Sequence, residues 1–243
     1  MFIRKPLVVA CLALAPLAQA EQDNNLKGEA ELGVLATSGN TEETKVNGRL
    51  GLVHETARWR NSGDFSSRYS KTEGETTTEE YQAALEADYK FDDKQYWFVR
   101  GAWEDDRFSG YDFESTLTTG YGNRLWQVGE RSFLDLSAGV GYRYNKLREV
   151  DADGDDVEEE AIARLAAQFD YAFTDTALFR QKLSTEIGMD DNNTISQSET
   201  ALHTSIVGSL SLKTAFRVKH VSDAPAGSDK TDTETSLSLL YGF

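Results

Sequence analysis

Between residues 26 and 243 this chain alternates apolar and polar side chains with a period of two, almost without interruption. An extended strand sends successive side chains to opposite faces, so the rhythm describes β-strands with one apolar and one polar face. Proline removes a ladder hydrogen bond, and beyond residue 20 it occurs only at Pro225. Helical periodicity has no comparable run. Twelve strand segments follow: 26–37, 43–55, 58–70, 79–91, 95–105, 111–126, 132–146, 160–173, 177–189, 198–212, 214–222 and 232–243. A series this regular closes as a barrel or folds as a sandwich.

The connections choose between the two. Those after even-numbered segments are short: Thr56-Ala57, 92–94, 127–130, 174–176 and Ser211-Leu212-Lys213. Those after odd-numbered segments are longer and polar, at 71–78, 105–110, 147–160, 190–196 and 222–231, with the tight Thr-Ser-Gly-Asn-Thr turn at 37–41 as the exception. Short turns on one rim and long loops on the other are the pattern of outer-membrane barrels. An even strand number then puts both ends on the short-turn, periplasmic side.

Rings gather beside the short turns: Tyr89, Phe91, Tyr96, Trp97, Trp126, Phe133, Phe169, Tyr171, Phe173, Phe179, Tyr241 and Phe243. Such rings favour the headgroup level of a bilayer, whereas a soluble sandwich has no reason to collect them at one end of its strands. The expected fold is therefore all-β, a transmembrane antiparallel up-and-down barrel of about 12 strands. Its membrane girdle would contain Tyr89, Phe91, Trp97, Trp126, Phe173, Tyr241 and Phe243.

The first twenty residues are of another kind. Arg4 and Lys5 precede an apolar run from Leu7 to Leu17, and Ala18-Gln19-Ala20 offers a small-x-small cleavage site. This is the anatomy of a secretory leader, and its apolar run is too short to cross a membrane as a helix. Residues 21–243 would form the barrel domain in the outer membrane. They contain no cysteine, so a closed sheet and not disulfides must hold them together. Without Arg4 and Lys5, 23 basic residues stand against 41 acidic ones, a balance of −18. Such a chain is not a nucleic-acid binder.

Opposite the apolar face, parity collects Arg49, Arg60, Asp64, Arg68, Glu86, Asp88, Asp112, Glu114, Arg124, Arg143, Arg164, Arg180 and Glu186, with Glu29, Glu31, Glu199, His203, Arg217, Lys219 and Glu234 among others. A charge facing lipid at the bilayer midplane costs roughly 2–4 kcal/mol, so this face lines the lumen. Rows of both signs there make either a weakly selective pore or a barrel plugged by its own ion pairs. The excess acid then lies in the loops, foremost at 151–160. Asp151, Asp153 and Asp155 have the one-three-five spacing of a calcium loop, but the glycine stands at Gly154 and Ile162 occupies the position of the closing glutamate. The loop reads as a solvated acidic surface that shares divalent cations with the anionic outer leaflet, and no cofactor is implied.

Two stretches carry a family likeness: GEAELGVLATSGNTEETKVNGRL at 28–50, and the run from Ala87 to Trp126 continuing into Leu136–Tyr144. Together they resemble the YdiY-like salt-induced outer membrane protein family, a domain of unknown function. The resemblance implies an outer-membrane barrel and supplies no catalytic residues. The ending Leu237-x-Leu239-x-Tyr241-x-Phe243 also resembles the C-terminal signature by which the barrel-assembly machinery recognises its substrates.

An enzyme needs a nucleophile beside a base. His203-Thr-Ser205 and His220-Val-Ser222 have the His-x-Ser spacing of outer-membrane phospholipases, and both side chains of each pair share a face. Among this many serines such pairs arise by chance, and the expectation is that the chain is not an enzyme. Expected instead is a passive channel for small polar solutes or ions in a bilayer of lipid and lipopolysaccharide. The alternative is a non-conducting envelope barrel that acts under osmotic stress through its acidic loops, and a lipid hydrolase is the minor alternative.

Overall fold

The computed structural model describes residues 25–37, 42–150, 154–190, 193–224 and 228–243. The expected leader at 1–20, the expected turn beyond Thr37, and Asp151 and Asp153 of the acidic loop lie outside the described residues. Twelve strands are present: β1 (Leu26–Thr37), β2 (Glu43–Glu55), β3 (Trp59–Thr72), β4 (Glu75–Lys90), β5 (Gln95–Asp106), β6 (Tyr111–Val128), β7 (Ser132–Leu147), β8 (Val157–Ala172), β9 (Ala177–Gly188), β10 (Thr194–Val207), β11 (Leu210–Val221) and β12 (Thr231–Gly242). Each pairs antiparallel with its sequence neighbours, and β12 returns to β1 to close the ring. There is no helix among the described residues.

The outer face is apolar and bare. Leu85 is 71% exposed and Leu117 62%, and Leu32, Val34, Val140, Leu165, Leu183, Leu202, Phe216, Leu237 and Leu239 stand out beside them. Solvated proteins do not carry a belt of this kind. The interior is the reverse: of the side chains buried among the described residues, fifteen are polar or charged and eight are hydrophobic. Outward rings run together on the short-turn side. Trp59 meets Tyr89 at 5.2 Å and Tyr89 meets Phe91 at 5.7 Å, while Trp126, Phe169, Tyr171, Phe173 and Phe179 form a continuous set. Trp97 donates from Nε1 to Thr119 Oγ1 on the same face at 2.8 Å.

Closure is narrow. β1 and β12 pair in register only over 29–32 with 239–242, and one further step joins Gly28 and Phe243, each donating its N–H to the other's carbonyl at 2.7 and 2.9 Å. Every other junction is longer, β5 with β6, for example, running from Gln95 to Glu104.

Strand limits differ from the sequence expectation mainly where turn chemistry went unread. The supposed loop at 71–78 is a tight hairpin on Glu73 and Gly74, both with positive φ. That is the conformation two-residue hairpins favour, and the threonines at 76–78 are good strand formers that extend β4. The turn expected at Ser211-Leu212-Lys213 lies at Gly208-Ser209 instead, because Gly208 supplies the left-handed φ of 54°. β8 starts at Val157 and β10 at Thr194, so those long loops are shorter than expected.

Candidate functional site: the lumen

Inward positions follow from register. Because the strands are antiparallel and in phase, inward arginines fall opposite inward acids on the neighbouring strand. Arg60 stands directly opposite Asp88 and donates from Nε at 2.7 Å. Arg124 opposes Asp135 and holds it with two bonds of 2.7 Å. Arg180 opposes Asp170 and donates from Nη2 at 2.7 Å. Arg49 reaches diagonally, two residues along β3 from its partner Ser66, to Asp64, at 2.8 Å from Nε. These are wall pairs, which join adjacent strands and leave the middle of the ring alone.

Other pairs join into networks, some of which reach beyond the neighbouring strand. Arg68 on β3 bonds Glu80 on β4 and also reaches Glu234 on β12, past β1 and β2, at 3.3 Å. Lys213 on β11 bonds Glu31 on β1 at 3.1 Å and lies 3.3 Å from Glu199 on β10. Arg217 continues from Glu199 at 2.6 Å to Glu234 at 3.6 Å. Arg143, 1% exposed, donates to Glu160 at 2.7 Å and lies 3.6 Å from Glu186 on β9, to which Arg164 also turns at 3.4 Å. Glu86 has Arg100 at 3.8 Å. The widest crossing is Lys219 on β11, which donates to Glu104 on β5 at 2.5 Å and to Glu114 on β6 at 3.2 Å. In a ring of twelve, β5 and β11 stand diametrically opposed. The two touch only through the lumen, which Lys219 bridges at that height.

The short-turn end is different. Arg60 lies over the Tyr96 ring at 4.8 Å, and Arg124 lies over Phe133 at 4.2 Å. Tyr96 and Phe133 therefore face inward and are not girdle residues, because each guanidinium offers the ring a cation–π partner on the lumen side. Tyr96 lies flat on Gly122, where a Cβ would come within 2.1 Å of the ring. Arg60, Tyr96 and Arg124, with Glu55, Lys90, Asp92, Lys94, Gln127 and Asp135, bound a cavity of about 280 Å³.

Asp112 corrects the parity reading. It is the extra residue of a β-bulge between Tyr111 and Phe113, half exposed at the rim and 3.6 Å from Arg148. Its inward place is taken by Tyr111, whose hydroxyl donates to Glu158 at 3.1 Å. Lys213 was missed because its segment was read as a turn, although Lys213, Ala215, Arg217 and Lys219 form one inward row once Gly208 is given the corner. Phe98, between the Trp97 and Val99 that face outward, is 1% exposed inside the ring.

The His-x-Ser pairs do not assemble into dyads. Nε2 of His203 is buried with no partner among the described residues. His220 meets Thr231 at 2.8 Å, and Ser222 accepts the Thr194 N–H. In the acidic loop Asp155 is exposed and Asp156 accepts from Lys146. No group of three potential metal ligands occurs among the described residues.

A family model described as "Protein of unknown function, DUF481" matches residues 30–243. The "Uncharacterized protein YdiY" of Escherichia coli (strain K12) is 30% identical over 223 residues, covering 89% of this chain and 83% of that protein. Among solved structures, the translocator domain of autotransporter NalP from Neisseria meningitidis superposes with a TM-score of 0.54 at 11% identity, over 93% of this chain and 91% of that one. The NanC porin superposes with a TM-score of 0.50 at 13% identity, over 89% of this chain and 97% of that one. At such identities the likeness is one of fold.

Proposed function

This chain belongs to the DUF481 family of proteins of unknown function, and from that premise we propose that it is an outer-membrane barrel acting as a narrow passive channel for small polar solutes or ions. The observation that carries the reading is the inversion of polarity: a ring bare and apolar outside encloses a charged interior with a cavity open to the short-turn rim. A hydrocarbon bilayer fits the outer surface, and a hydrated path fits the inner one. Export by a leader at 1–20, lipopolysaccharide and divalent cations about the acidic loops, and assembly through Phe243 belong to the same proposal.

The test is single-channel recording of the refolded mature chain in a planar bilayer under a potassium chloride gradient. Discrete current steps with a defined reversal potential support the channel. A silent bilayer with a protein of heat-shifted gel mobility, hence folded, sinks it. A non-conducting envelope barrel is the second reading, favoured by the Lys219 crossing that bridges the lumen.

A further inference from the structure

The carboxylates around Lys219 outnumber the cations that face them. Glu104 and Glu114 hold its ammonium directly. Gln82 donates to the other oxygen of Glu104 at 2.9 Å, and Glu80 and Asp106 face the same space from β4 and β5. Arg68, already engaged by Glu80 and Glu234, and Arg143, whose charge reaches Glu114 from β7, are the other cations there. The cluster lies near the long-loop ends of β5, β6 and β11, so a cation entering from that rim meets negative charge first and then an ammonium already in place.

We propose that Lys219 is the resident cation of this lumen: a tethered ammonium that fills the position a permeating cation would take, and so both narrows the passage and sets its preference for small cations. The proposal rests on the channel reading. Lysine suits the role because its charge is compact and sits on a flexible four-carbon stem. It can swing aside as one unit, whereas a bidentate wall pair cannot. When it swings away the carboxylates lose their counter-ion, and a mobile cation replaces it at little electrostatic cost.

The test compares the wild-type mature chain with Lys219→Gln and Lys219→Arg in planar bilayers under a potassium chloride gradient, with heat-shifted mobility as the check on folding. Lys219→Gln is expected to raise single-channel conductance several-fold and to move the reversal potential toward that of potassium. Lys219→Arg, which keeps the charge, is expected to stay within about twofold of wild type. Wild-type conductance and reversal potential in Lys219→Gln overturn the proposal and leave the channel reading standing. Silence from folded wild type and folded Lys219→Gln overturns both. Should Lys219→Gln fail to fold with its carboxylates unpaired, Lys219→Gln/Glu104→Gln restores an uncharged pair across the ring. Unchanged conductance in that double variant overturns the proposal equally.

Discussion

The two ends of the lumen hold the same chemistry arranged in two ways. At the short-turn end Arg60 and Arg124 pair with acids on adjacent strands and stack on inward rings, so the wall is lined and the middle stays open. At the long-loop end Lys219, Arg68 and Arg143 reach past their neighbours, and the middle is filled. Charge content does not distinguish an open mouth from a closed one; reach does. A wall pair needs only the right register, whereas a crossing pair needs a side chain long enough, and a facing acid placed, on a strand remote in sequence.

The largest break in that contrast is expected from Arg143→Ala. It removes the buried cation that Glu160 and Glu186 share and leaves Glu186 to Arg164, a loss of about 3 kcal/mol, read as a lower urea midpoint in detergent micelles. Equal stability in the variant would show that the crossing end is hydrated and carries no such strain. Arg124→Ala, at the open end, should cost far less, about 1 kcal/mol, because water screens a half-open wall pair and replaces part of what is lost. It should also widen the cavity, which added conductance would report. Trp97→Phe provides a reference outside the lumen. Losing its bond to Thr119 should cost roughly 0.5–1 kcal/mol and leave conductance unchanged at either end. The smallest effect belongs to Asp92 in the β4–β5 turn, whose carboxylate accepts the N–H groups of Lys94 and Gln95 at 2.8 Å each and is held below the ordinary aspartate value chiefly by those bonds. Its contribution to folding is present above the unfolded aspartate value of about 4 and is lost as pH falls through the lowered one. Asp92→Asn should flatten that part of the acid limb of an unfolding-versus-pH curve.

The same contrast marks what the sequence disclosed. Strand number, the limits of β1 and β2, and the polarity of each face follow from a period of two, a local property that needs no knowledge of neighbours. Phase is lost wherever one residue departs from the rhythm. The bulge at Asp112 ejects it to the rim, and the corner at Gly208 returns Lys213 to the wall. Tyr96 and Phe133 were read by residue type as girdle members, although the parity that placed Arg60 and Arg124 inward was available for them as well. Which acid each cation chooses is set by ring curvature and tilt, so Lys219 was placed on the lumen face while its partners across the ring were not legible.

The short β1–β12 junction bears on how the molecule moves. A closed hoop is only as firm as its weakest joint, and here one joint is secured over 29–32 while the others hold along most of a strand. Lateral pressure from the bilayer would find this joint first. The amides of Val34 and Ala36, which face β12 past the last rung while their neighbours bond to β2, would exchange with solvent deuterium well ahead of those in β6 and β7. Opening there leaves eleven junctions intact, so the hoop would relax into a curled sheet and reseal without any strand having to find its partner again.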